Sequence, residues 1–169
     1  MTAILIIQNS AYSYPLLFTI FRKSHIIPHN TMLMFLSSFY GIIDSKNRVA
    51  IPSSFRSTIN ISKEKTYLFK SLKYNCLEVH LASKINFLIK SFDEKDFFSK
   101  KNDHFKTAIL SDLEEITIDK EGRFIVKEQL QKFSRLNKEL IFIGKGNHFE
   151  IWNKKLGETH KKISRSKFK

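Results

Sequence analysis

Ile42-Ile43-Asp44-Ser45-Lys46-Asn47-Arg48-Val49-Ala50-Ile51-Pro52 reads as a strand, a tight turn and a return strand. It comes back 75 positions later as Thr117-Ile118-Asp119-Lys120-Glu121-Gly122-Arg123-Phe124-Ile125-Val126-Lys127. Both copies have the form Asp-x-x-(Gly/Asn)-Arg. Asp suits the first position of a type I turn because its carboxylate accepts backbone N–H bonds, and the fourth position of a three-residue hairpin loop wants a positive φ. Gly takes that conformation freely, and Asn is among the few other residues that tolerate it. Asp44, Asn47, Asp119 and Gly122 are therefore read as turn-formers. Arg48 and Arg123 open the return strands, each with its guanidinium close to a rigid turn.

The repetition extends beyond the turns. Leu136-Asn137-Lys138-Glu139-Leu140-Ile141-Phe142-Ile143 stands 75 residues after Ile61-Ser62-Lys63-Glu64-Lys65-Thr66-Tyr67-Leu68. The register then slips by three, and Asn75-Cys76-Leu77-Glu78-Val79-His80 matches Asn147-His148-Phe149-Glu150-Ile151-Trp152. Periodicity of this kind decides the architecture. Each half is expected to run strand, turn, strand, short helix, strand, strand, which makes the chain an α+β protein built from a duplicated unit.

The first half supplies a helix start at Pro52, where a missing N–H is harmless. A short helix over Ser53 to Thr58 is expected to bury Phe55 and Ile59 and leave Arg56 outside. Thr66 to Phe69 and Leu77 to His80 read as its remaining strands. Between the halves, Ile85, Leu88, Ile89 and Phe92 share one helical face, and a second helical run carries Phe97, Phe98, Phe105, Ala108 and Ile109. Asp93-Glu94-Lys95-Asp96 separates the two runs. This stripe either covers the sheet or supports self-association. In the second half Lys127 stands in place of Pro52, and Gln131 in place of Arg56.

With 169 residues, 42% of them hydrophobic and 16 of them Phe, the chain can bury a sizeable core. Its net charge of +13 and pI near 9.8 favour polyanionic partners. Residues 1–31 contain only Arg22 and Lys23 as basic residues, so the charge belongs to the body of the protein. Their apolar runs are short and interrupted, and no basic residue precedes the first of them, which fits neither a membrane span nor a signal peptide. Translation is expected to begin at Met32 or Met34, with residues 1–33 an upstream or disordered extension; the rival reading is a weak membrane-associating segment. The final stretch holds Lys154, Lys155, Lys161, Lys162, Arg165, Lys167 and Lys169 against Glu158 and reads as a solvated basic tail.

Catalysis and cofactors find no support. The six histidines show no paired metal spacing, and no Ser or Cys has a nucleophile motif around it. Cys76, Glu78 and His80 share a strand face but have no partner pair elsewhere in sequence, so packing is the expected role and no metal or catalytic residue is assigned. A single Cys fits a reducing cytoplasm.

From Met34 to about Glu158 the sequence resembles the MraZ family, whose members carry two SpoVT-AbrB-type domains. The matching stretches are Met34-Phe35-Leu36, Asp44-Ser45-Lys46-Asn47-Arg48, Ile51-Pro52-x-x-Phe55-Arg56, Asn75-Cys76-Leu77, Asp119-Lys120-Glu121-Gly122-Arg123, Leu136-x-Lys138-Glu139 and Gly144-x-Gly146-Asn147-x-Phe149-Glu150-Ile151-Trp152. The resemblance implies a tandem swapped-hairpin β-barrel, a pseudo-dimer in one chain, with helices between and after the repeats and domains at 38–83 and 112–155. A helical connector at 84–111 and a basic tail at 156–169 complete the division. It also implies a ring-shaped homo-oligomer on the nucleoid that binds short DNA repeats upstream of the division and cell-wall gene cluster. By position Arg48 matches the family's DNA-contacting arginine, and Arg123 is its second-repeat equivalent. The departures are Asn47 where the family has Gly and Lys127 where it often has Pro.

Residue chemistry points the same way. An arginine on a hairpin can enter a major groove and bond guanine bidentately, while Lys46 and Lys120 hold phosphates and Arg56 adds an outward cation. The expected partner is double-stranded DNA and not a membrane. The rival from another class is a protein-interaction module that acts on a partner enzyme through the Phe-rich helices, with only non-specific DNA binding.

Overall fold

Alternating apolar residues bounded by the two turns produce the strands of a computed structural model that describes residues 33–93 and 100–168. The expected N-terminal extension, most of the acidic turn, Phe97 and Phe98 lie outside the described residues. In chain order the elements are β1 (Ser38–Ile42), β2 (Arg48–Ala50), α1 (Ser53–Ser62), β3 (Thr66–Lys70), β4 (Leu77–Leu81) and α2 (Ala82–Asp93). They continue with α3 (Lys100–Leu110), β5 (Glu114–Glu115), β6 (Arg123–Ile125), α4 (Glu128–Ser134), β7 (Glu139–Gly144), β8 (His148–Asn153) and α5 (Lys154–Ser166).

The class is α+β, with strands paired antiparallel throughout. Six strands form one sheet in the order β1-β7-β8-β4-β3-β5, and β2 pairs with β6 as a separate ribbon. The halves are interleaved. β1 of the first half pairs with β7 of the second, β5 of the second with β3 of the first, and β4 meets β8 at the centre. The expected closed barrel is not formed. β1 and β5 are the two edges of an open sheet; β5 is only two residues long, and the ribbon strands pair with each other instead of bridging those edges.

One sheet face carries the main core. Leu77, Val79, Leu81, Phe149 and Ile151 from β4 and β8 meet Phe35, Phe55 of α1, Leu130 of α4, and Val49 and Phe124 from the ribbon. Phe149 packs 4.8 Å from Phe55 and 5.1 Å from Phe35, ring centre to ring centre, while Phe35 and Phe55 meet edge to face at 5.4 Å. Each such side chain taken from water contributes about 1.5–3 kcal/mol. The expected burial of Phe55 and Ile59 holds, and α1 runs to Ser62, where Lys63 in the left-handed region returns its N–H to the Ile59 carbonyl.

The opposite sheet face is covered by helices. Ile85 of α2 and Ile109 of α3 are buried with Phe69 of β3, so the apolar stripe between the repeats covers this face. A helix follows the repeats as expected, α5, and it takes in most of the stretch read as a solvated basic tail. The Asn153 side chain accepts from the Lys155 and Leu156 N–H groups at its start, and Leu156 packs on the cluster of Cys76, Ile141, Ile143 and Trp152. A capped first turn and an apolar stripe outweigh the repulsion of its lysines.

Candidate nucleic-acid interface

The two turns are built alike, from their aspartates. Asp44 Oδ1 accepts the backbone N–H groups of Lys46 at 2.8 Å and Arg48 at 2.9 Å, and the Asn47 N–H closes onto the Asp44 carbonyl at 3.0 Å. Asp119 Oδ1 accepts from Glu121 at 3.0 Å and Arg123 at 2.8 Å, and the Gly122 N–H bonds the Asp119 carbonyl at 2.9 Å. The fourth turn position has the left-handed backbone expected of it, with φ of 60° at Asn47 and 79° at Gly122.

Each aspartate also grips the arginine that follows. Arg48 donates Nε–H to Asp44 Oδ2 at 2.8 Å, and its Nη2 lies in ion-pair contact 2.7 Å from the same oxygen, which leaves the outer edge of the guanidinium turned away from the carboxylate. Arg123 donates Nε–H to Asp119 Oδ2 at 3.0 Å and Nη2–H to Glu121 Oε2 at 2.9 Å. The Arg48 backbone N–H, then its guanidinium, hold the Asp44 carboxyl down at about 2. Asp119 is lowered in the same way, first by the Arg123 backbone N–H, and the Arg123 guanidinium is raised by its bond to Asp119.

The ribbon decides where the arginines point. Arg48 pairs with Ile125, Val49 with Phe124, and Ala50 with Arg123. Side chains alternate along a strand, so Val49 and Phe124 face one way and Arg48, Ala50, Arg123 and Ile125 face the other. Val49 and Phe124 are 0% and 2% exposed and belong to the core. Arg48 and Arg123 therefore share the outer face of one two-stranded ribbon, diagonally across from each other. Ile125 lies beside them, 65% exposed, and sequence alone did not single it out.

The turns differ in charge. Lys46 occupies in the first turn the place of Glu121 in the second, so the first is a net cation and the second is neutral. Lys46 and Lys120 are both exposed. Arg56 does not stand free: from α1 it donates Nη1–H to the Glu121 carbonyl at 2.7 Å and braces the second turn. Its counterpart Gln131 folds back to the Val126 carbonyl at 2.7 Å. Register also gives His80 the partner that spacing did not reveal, since His148 lies directly opposite it across β4 and β8.

Comparison with known proteins supplies the family. Residues 109–165 match the family model described as "MraZ protein, putative antitoxin-like". The chain is 33% identical over 135 residues to the transcriptional regulator MraZ of Pelagibacter ubique (strain HTCC1062), covering 79% of this chain and 87% of that one. It is 32% identical over 122 residues to the MraZ regulator of Rickettsia rickettsii (strain Sheila Smith), covering 72% and 82%. Against that of Rickettsia akari (strain Hartford) it is 30% identical over 132 residues, covering 78% and 89%. A duplicated Asp-turn-Arg hairpin and relatives of this kind over most of both chains lead to one conclusion: the chain belongs to the MraZ family, a family of transcriptional regulators and not of enzymes.

Proposed function

We propose that this protein regulates transcription by binding double-stranded DNA with the outer face of the β2–β6 ribbon, reading short repeats upstream of the division and cell-wall gene cluster. The observation that carries the reading is the placement of Arg48 and Arg123 on one exposed face. A two-stranded ribbon fits a major groove, where an arginine bonds the O6 and N7 of guanine bidentately. Arg48 is the principal reader, because its turn is a net cation and its guanidinium answers to one carboxylate, whereas Arg123 answers to two. Lys46 and Lys120 hold phosphates on either side. Arg56 acts by fixing the second turn.

The exchange of strands between the halves supports a swapped-hairpin pseudo-dimer, with domains at 38–83 and 112–155. One ribbon offers few base contacts. Affinity then comes from several subunits of a ring engaging spaced repeats together on the nucleoid. Among the described residues no helix is long and apolar enough to cross a membrane.

Gel-shift titration of the protein on its own upstream region, at several salt concentrations, tests this. A regulator gives affinity that depends on sequence and falls steeply with salt. Weak binding shared by any duplex would favour the protein-interaction reading instead.

A further inference from the structure

Behind the DNA-facing side, the central pairing of β4 with β8 gathers a set of donors that the DNA reading does not use. Glu78 lies opposite Glu150 and His80 opposite His148, all four on the sheet face away from the main core. They line a cavity of about 430 Å³ together with Tyr74 and Lys84. Glu150 is committed elsewhere: it accepts from Trp152 Nε1 at 2.9 Å and lies 3.5 Å from the Lys145 ammonium. The remaining three are arranged differently. Glu78, His80 and His148 each bring one donor atom within 4.8 Å of the others.

Two details of these imidazoles point to a ligand. His80 is 3% exposed, and its Nε2 lies 2.9 Å from Glu78 Oε2, so an ion shared by the two sits at the Nε2 edge of the ring. His148 Nδ1 lies 2.8 Å from Asn147 Oδ1. As an N–H donor to that amide, Nδ1 fixes the tautomer and leaves the Nε2 lone pair outward, the arrangement by which outer partners orient a metal-binding histidine. The rings of His80 and His148 stack nearly parallel, 4.4 Å apart, so taking up a shared ion requires the less buried His148 to turn out of the stack and aim Nε2 at the Nε2 edge of His80. Bonds of about 2.0–2.2 Å to a tetrahedral ion place donors about 3.4 Å apart, within reach of such a closure.

We propose that Glu78, His80 and His148 form a binding site for a divalent transition-metal ion of the zinc class, with the open cavity supplying room for a water as fourth ligand. Two imidazole nitrogens and one carboxylate oxygen suit Zn²⁺ or Co²⁺ over the hard ions Mg²⁺ and Ca²⁺. Because β4 comes from the first half of the chain and β8 from the second, the ion staples the halves at the middle of the shared sheet. Its role is to stabilise that seam, independent of whether the ribbon reads DNA.

The test is calorimetric titration of the full chain with Zn²⁺, and with Co²⁺ followed by its visible absorption, alongside H148A and E78Q. His148 and Glu78 are the less buried members, and circular dichroism checks that both variants fold. The expected result is one His148-dependent ion per chain, tetrahedral Co²⁺ bands, and a melting temperature raised by Zn²⁺ in wild type but not in H148A. Each variant weakens binding by at least about tenfold. Wild type that takes up no ion, or folded H148A and E78Q that bind Zn²⁺ as tightly as wild type, overturns the proposal.

Discussion

The Arg56 guanidinium occupies the space that a side chain on Gly122 would fill: a β-carbon built there would lie 2.0 Å from Arg56 Nη1. The same guanidinium bonds the Glu121 carbonyl at 2.7 Å, so helix α1 of one half clamps the turn of the other. In the first turn no arginine takes that role, because Gln131 turns back to the Val126 carbonyl. The two turns differ in step with this: Asn47 has a side chain where Gly122, beside Arg56, has none.

Gly122→Ala is therefore expected to destabilise by about 1–3 kcal/mol, from the left-handed backbone and the displaced Arg56 together. In an Arg56→Ala background the steric part disappears, and a double-mutant cycle by chemical denaturation reads the difference. Asn47→Gly changes stability by less than about 1 kcal/mol, relief of strain offsetting the freer unfolded chain.

Acid should loosen the hairpins before the core. Asp44 titrates at about 2 in the fold against an ordinary value of 3.8, so its contribution is complete above about pH 4 and is lost as pH falls toward 2. Asp119 is shifted in the same direction. Thermal melts from pH 5 to pH 2 are expected to fall less steeply for Asp44→Asn than for wild type, because that group no longer takes up a proton.

Phe149 is fully buried among Phe35, Phe55 and Phe142. Truncating it to Ala removes an aromatic ring and leaves a cavity, for an expected loss of about 3–5 kcal/mol in denaturant titrations.

Much of this organisation was legible in the residues themselves, for a physical reason. A turn is a local object: Asp at its first position and Gly or Asn at its fourth state its geometry, and both turns form where those residues stand. The bracing of one half by Arg56 was not legible, because it depends on how α1 packs against a turn 65 residues away. The open sheet was missed for a similar reason: edge pairing is settled by the lengths of distant strands, and β5 is too short to close it. His148 faces His80 only through strand register, which no spacing within one strand reveals. A helix after the repeats was expected, but that it takes in the basic tail was not, because the Asn153 cap and the Leu156 packing that hold it were hidden by the run of lysines.

On the proposed DNA face, Lys46→Ala should weaken binding to every duplex about equally and reduce the salt slope by about one, the signature of a lost phosphate contact. Ile125→Ser, by contrast, should leave folding intact, since the residue is 65% exposed. Its expected effect is confined to the specific site, where an apolar side chain beside Arg48 meets a thymine methyl. Fluorescence anisotropy on specific and scrambled duplexes separates the two.

The central claim is that Arg48 reads bases, and Arg48→Ala titrated by anisotropy against the protein's own upstream repeats and a scrambled duplex tests it most directly. A loss of about 1–3 kcal/mol on the repeats, with scrambled binding and melting temperature close to wild type, is the predicted result. Unchanged affinity for the repeats, or an equal loss on both duplexes accompanied by early melting, would contradict it and leave Arg48 as a structural partner of Asp44.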